Sequence, residues 1–193
     1  MKRETMTTRR LTDFSRIEML YNSRMKKDFL PDELKPLDTI RQLWTKQVYD
    51  CFGLFDDGEI LGYAFFLRSG RNYLFDYFAI AEDHRDEGLG SFFIRQLSGF
   101  AKEADCIVGE VEDPEKARDG ETGRQRERRL QFYLRNGFRL TGLTARVFGV
   151  DFRILEIPTG VDHTDEELCK VYTELYRCSL PGQLFRAEFE VHG

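Results

Sequence analysis

Residues 73–102 constrain the fold more than any other stretch of the chain. Tyr73–Ala81 is apolar and aromatic with few polar residues on either face, which suits a central strand covered on both sides. Gly88–Lys102 places Leu89, Phe92, Phe93, Leu97 and Phe100 at a 3.6-residue repeat, which predicts a helix with one buried stripe. Only the polar loop Glu82–Glu87 separates the two. A doubly covered strand running directly into an amphipathic helix requires helices layered on a sheet.

The flanking sequence extends that pattern in both directions. Residues 7–12 read as a short strand, and Thr12 or Asp13 caps a helix with the stripe Phe14, Ile17, Leu20, Tyr21 and Met25. Pro31 and Pro36 mark a loop before a second helix over Leu37–Lys46. Val48–Phe55 and Glu59–Arg68 are strands joined by Asp56-Asp57-Gly58, a hairpin-turn signature. Cys106–Val111 is a further strand. The charged stretch 113–129, with Asp119-Gly120 as a turn, reads as a solvated loop and helix face leading to a helix closed by Gly137. Phe138–Leu143 and Ala145–Ile157 are strands. Thr164–Glu167 is a capping box opening a helix with the stripe Leu168, Val171, Tyr172, Leu175 and Tyr176. Leu184–Val191 alternates and reads as a final strand. The absence of repeats and linkers makes 1–193 a single mixed α/β (α+β) domain, with a core at about 7–158 and a C-terminal helix and strand at 164–191.

Composition narrows the function. Seventeen Phe and eight Tyr belong to a chain that folds. A net charge of −5 lacks the basic footprint of a nucleic-acid binder and argues against an anionic membrane surface. Cys51, Cys106, Cys169 and Cys178 form no CxxC, and His84, His163 and His192 are scattered, so no metal site is expected. Unpaired cysteines in apolar runs suit a reduced, cytoplasmic protein. Arg9-Arg10 is followed by polar residues rather than an apolar export segment.

Between the strand and the helix lies Arg85-Asp86-Glu87-Gly88-Leu89-Gly90. The first N–H groups of a helix have no intrahelical acceptor, and the helix dipole favours negative charge there. Glycines at 88 and 90 leave the backbone open to close approach, and Arg85 adds a fork of cationic donors. Strand, loop and helix together predict a pyrophosphate site at Arg85, Asp86, Glu87, Gly88, Leu89, Gly90 and Ser91. No Gly-Lys-Ser/Thr follows, so it is not a Walker A loop, and the third glycine of a dinucleotide fingerprint is missing.

This segment resembles motif A of the GNAT superfamily of acetyltransferases, Arg/Gln-x-x-Gly-x-Gly/Ala. Tyr133-Leu134-Arg135-Asn136-Gly137-Phe138 resembles the end of its motif B, Tyr-x-x-x-Gly-Phe. The likeness covers about residues 7–158. It implies a mostly antiparallel central sheet flanked by helices and splayed at an acyl-CoA site, with acetyl-CoA as acyl donor and direct attack by the primary amine of a small molecule or peptide. It gives backbone groups of Phe78, Ala79 and Ile80 to the donor and the developing oxyanion, and makes Tyr133 the general acid. Where motif B often has Asn and a small residue, this chain has Arg126 and Arg129. These are candidates for the donor's phosphates or an acidic substrate group, or else a solvated helix face.

Glu110 and Glu112 share one face of their strand among apolar neighbours, and either is a candidate base for an amine of pKa ~10.4. Tyr21, Phe29, Trp44, Tyr49 and Tyr63 are candidate acceptor surface, with Asp32 and Glu33 for a cationic amine. A non-catalytic acyl-CoA sensor of the same fold is the alternative. Monomer and homodimer both remain open.

Overall fold

The computed structural model describes residues 5–31 and 33–193. Asp32, a candidate for acceptor recognition, lies outside the described residues. The chain forms two compact units. One holds the residues up to Arg68 together with Phe75–Gly99, the other Ser69–Leu74 together with Phe100–Gly193.

In the first unit, β1 (Thr7–Arg10), β2 (Tyr49–Asp56), β3 (Glu59–Ser69) and β4 (Asn72–Ile80) follow one another in the sheet. β1 pairs antiparallel with β2, and β2 with β3. Asp57 and Gly58 both take positive φ in the β2–β3 turn, as a two-residue hairpin requires. The first helix run starts at Phe14, where the Asp13 carboxylate accepts from the Ser15 N–H. It continues from α1 (Phe14–Leu20) through a π-helical segment, Tyr21–Met25, into α2 (Lys26–Asp28). The whole expected stripe of Phe14, Ile17, Leu20, Tyr21 and Met25 is buried. α3 (Leu37–Thr45) packs against α1 and β2. α4 (Leu89–Ala101) follows β4 through a 3₁₀ turn at Glu82–His84.

In the second unit the strand order is β5 (Cys106–Glu112), β7 (Val150–Ile157), β6 (Arg139–Val147) and β8 (Phe189–His192), every neighbour antiparallel. α5 (Gly120–Arg135) and α6 (Asp165–Ser179) pack on β5. The architecture is mixed α/β with a mostly antiparallel sheet, as expected from the sequence.

Three expectations are corrected. Asp119-Gly120 is not a turn: the Asp119 carboxylate accepts from the N–H groups of Glu121 and Thr122, so it caps α5, and Gly120 is the first helical residue. The break between β6 and β7 lies at Phe148-Gly149, not at Thr144. The register slips between Leu140 and Thr144, and this irregularity imitates a strand end. Residues 184–188 belong to a short helix, α7 (Gly182–Glu188), and only Phe189–His192 is a strand. Pro181 supplies the fixed φ that suits a helix start, and this local signal outweighs the alternation.

Candidate active site

The loop expected to hold a phosphate is built from the end of β4. Phe75 and Tyr77 are buried, but Phe78, Ala79 and Ile80 are partly exposed. The Phe78 ring stacks on Phe93 of α4, centroids 5.6 Å apart, which ties strand end to helix. Gly62 of β3 allows close approach here: a Cβ would meet Ile80 Cδ1 at 2.6 Å and the Ala79 carbonyl at 3.0 Å. After the 3₁₀ turn, Asp86 (φ +63°) and Gly88 (φ +74°) swing the chain into α4. The left-handed conformation is cheap for glycine and tolerable for Asp. Gly88 then accepts from the Phe92 N–H. The N–H groups of Leu89, Gly90 and Ser91 belong to the first helical turn and have no acceptor within the helix. This arrangement stabilises an anion.

Arg85 is anchored rather than loose. Its Nη2 donates to Asp28 Oδ1 at 2.7 Å and its Nε to the Ile80 carbonyl at 3.2 Å. Asp28 Oδ2 accepts from the buried Tyr63 hydroxyl at 2.8 Å. Burial, and then the Asp28 charge, push the Tyr63 phenol well up. One edge of the Arg85 fork is thus spent on the protein, and the other faces away from these partners. Asp28 had no signal in the sequence, because nothing periodic links it to residues 63 and 85.

Other acceptor candidates of this unit are engaged locally. The Tyr49 hydroxyl donates to Asp76, which also pairs with Lys35 Nζ at 2.6 Å. Phe29 lies edge-on to Tyr77 at 4.8 Å and Trp44 tilts on Phe14 at 5.4 Å. Tyr21 is buried, and the Glu33 carbonyl accepts from Tyr77. A cavity of about 480 Å³ between β1 and the β2–β3 turn, bordered by Thr5, Arg9, Phe55 and Asp57, contains none of the predicted site residues.

In the second unit Glu110 and Glu112 point to the same face of β5, as their spacing requires. The Glu112 carboxylate takes Arg126 at 2.7 Å and Arg129 at 2.5 Å, one guanidinium on each oxygen. Arg126 also donates to the Asp113 carbonyl at 3.1 Å. Glu110 instead reaches α6, where its Oε1 accepts from the hydroxyls of Tyr172 and, at 2.7 Å, Tyr176. In the sequence both tyrosines read only as helix stripe. Tyr133 is buried and stacked on Phe138, 5.0 Å between centroids and 18° between planes. Burial pushes its phenol up to about 12, with the Arg129 charge opposing. Among the described residues no group of three or more His, Cys, Asp or Glu comes together to hold a metal, and no helix is long and apolar enough to cross a membrane.

Residues 47–140 match the acetyltransferase (GNAT) domain family. This 94-residue span, just under half of the chain, has the sequence pattern of a GNAT acetyltransferase domain. The matched span runs from the start of β2 into β6, so it contains the β4–α4 loop, Glu110, Glu112, Arg126, Arg129 and Tyr133. It leaves α1–α3 and α6–β8 outside. No curated protein matches the chain in sequence. Solved structures share the fold at low identity. A GNAT-family acetyltransferase from Bacteroides thetaiotaomicron is 20% identical with a TM-score of 0.66, covering 86% of this chain and 94% of its own. One from Elizabethkingia anophelis with acetyl-CoA bound is 16% identical with a TM-score of 0.56, covering 80% and 98%. The ribosomal-protein-S18-alanine N-acetyltransferase from Escherichia coli is 16% identical with a TM-score of 0.57, covering 83% and 97%.

Proposed function

We propose that this protein transfers an acetyl group from acetyl-CoA to a primary amine of a small molecule or peptide by direct attack. The observation that carries the reading is the run from β4 through the left-handed Asp86 and Gly88 into the open first turn of α4. It supplies backbone N–H groups, and the outer edge of Arg85, to a pyrophosphate. The acetyl-CoA bound to the Elizabethkingia structure supports the choice of donor, and the alanine N-acetyltransferase supports an amine as acceptor.

The residues take roles as follows. Backbone N–H groups of Phe78–Ile80 are assigned to the pantetheine amides and to the oxyanion that develops at the thioester carbon. The attacking amine must be neutral, and Glu110 is assigned as its base, directly or through water. Glu112 has a guanidinium on each oxygen and is assigned instead to orient Arg126 and Arg129. Arg129, about half exposed at its side chain, keeps donors for a phosphate. Tyr133 is assigned to return a proton to the leaving thiolate. We place these steps in one domain spanning the chain, acting in the cytoplasm on a diffusible acceptor.

Calorimetric titration tests the donor. Acetyl-CoA and CoA are expected to bind and ATP not to. Binding of ATP in preference to CoA overturns the reading. Thiol release over an amine panel then separates an enzyme from a silent acyl-CoA sensor, which would bind the donor and turn over no amine.

A further inference from the structure

Asp28 sits where the first helix run would be expected to bury an apolar side chain. It follows the buried Met25 by three residues, on the same side of the run, and its side chain is only 12% exposed. The run reaches it through the π-helical segment Tyr21–Met25, an irregularity of the kind found frequently at functional sites. A carboxylate held mostly out of water is a weak source of stability, since apolar packing would often serve as well. Its presence calls for another reason.

Both oxygens of Asp28 are committed. Oδ2 accepts from the Tyr63 hydroxyl at 2.8 Å, and Oδ1 from Arg85 Nη2 at 2.7 Å. Tyr63 is fully buried in β3, so its hydroxyl is a fixed point of the sheet. Arg24, whose charge also reaches Tyr63, is engaged with the Ile60 carbonyl and with Glu59 at 3.9 Å. Arg85 is therefore the cation that Asp28 holds. Arg85 Nε donates in turn to the Ile80 carbonyl at 3.2 Å. Nε and Nη2 share one edge of the guanidinium, so that edge is fixed at two points, one on the helix run and one at the end of β4. A planar group fixed along one edge has its other edge fixed in direction. That outer edge, Nη1 with the second hydrogen of Nη2, makes no hydrogen bond among the described residues, and the side chain is half exposed.

We infer that Asp28, fixed by Tyr63, is a positioning residue that aims the outer edge of Arg85 at the pyrophosphate of the donor. The two N–H groups of that edge match two phosphate oxygens. A loose arginine loses rotamer freedom on binding, whereas one held in advance has already lost it. If Asp28 merely neutralised Arg85, the carboxylate would weaken anion binding, and its removal would have the opposite sign. The inference rests on the acetyl-CoA reading given above. It adds the residues that make the arginine of the loop a directed contact rather than a diffuse charge.

The test titrates acetyl-CoA by calorimetry into wild type, Asp28→Asn, Arg85→Ala and the double variant. Asn has nearly the same shape and still accepts from Tyr63, so the change removes the charge-assisted bond to Arg85. Asp28→Asn is expected to weaken binding roughly 10-fold, and Arg85→Ala at least as much. In the double variant the two losses should not multiply, because Asp28 acts only through Arg85; a merely structural role would give independent losses. Dephospho-acetyl-CoA, which keeps the pyrophosphate and lacks the 3′-phosphate, should show the same loss in Asp28→Asn. Tyr63→Phe keeps the ring and frees Asp28 from its fixed point, and should weaken acetyl-CoA about 3-fold. The same cycle is run with it should Asp28→Asn fail to fold. Unchanged or tighter binding in these variants overturns the inference, as do losses that multiply with Arg85→Ala. A loss confined to the ligand with the 3′-phosphate overturns it too. Wild type that binds no acetyl-CoA defeats the donor reading itself instead.

Discussion

Tyr133 shows how a single residue's surroundings decide its use. Its ring is held between Phe132 and Phe138, at 5.3 and 5.0 Å, so removing the hydroxyl leaves the packing intact. Burial raises the phenol to about 12, so the group stays protonated through the neutral and mildly alkaline range. A proton donor must hold its proton until the thiolate forms, and a phenol raised in this way meets that condition, which supports the role proposed for Tyr133. Tyr133→Phe is expected to lower kcat by ~100-fold with acetyl-CoA affinity nearly unchanged. Because the raised value lies beyond the assay range, loss of this proton should not reduce wild-type activity up to pH of about 10. Undiminished turnover in Tyr133→Phe would remove the residue from the mechanism. Glu112 makes the opposite point. Its type and position suit a base, but two arginines claim its oxygens, and only three-dimensional pairing reveals that.

Elements that rest on local rules were legible in the sequence, and those that rest on distant contacts were not. The capping box at Thr164 is the clearest local case: its side chain accepts from the Glu167 N–H, and Glu167 accepts from the Thr164 N–H at 2.9 Å. Thr164→Ala is expected to cost about 1 kcal/mol, read as a lower urea midpoint at constant slope. The cap is also pH-dependent. The backbone hydrogen bond from Thr164 holds the Glu167 carboxyl below its ordinary value of 4.5. A depressed carboxyl stabilises fully above that ordinary value and loses its contribution as pH falls through the lowered one. The stability gap between wild type and Glu167→Gln should therefore close in acid, and a gap that widened there would contradict the assignment. Other elements escaped the sequence for physical reasons. Phe148 at φ +47° is not a residue that announces a turn, so sequence patterning alone sets the β6–β7 hairpin too early. The links from Asp28 to Tyr63 and Arg85, and from Glu110 to Tyr172 and Tyr176, join residues dozens apart with no periodic trace. Of the predicted site, the frame of β4, turn and α4 start was legible because its parts are adjacent in sequence. The partners of its arginine were not.

At the scale of the whole chain, charge poses a problem that the loop must solve. The protein carries −5 and its proposed donor is a polyanion, so the long-range interaction is repulsive. Attraction has to come from groups within a few ångströms: the backbone N–H groups of Leu89, Gly90 and Ser91 and the outer edge of Arg85. Salt screens the long-range repulsion over about 10 Å but acts less on such short contacts. Affinity for acetyl-CoA is therefore expected to change little between low and moderate salt, without the steep fall of a nucleic-acid binder. The same binding must stabilise the fold. At a donor concentration of about 100 Kd the gain is ~2.7 kcal/mol, and for a chain of this size each kcal/mol moves Tm by about 2–4 °C. Acetyl-CoA should thus raise Tm by roughly 5–11 °C in a scan where ATP at equal concentration does not. An equal rise with ATP would show that the loop reads phosphates alone. A steep loss of the acetyl-CoA shift with salt would show that side-chain charge, rather than the helix start, holds the donor.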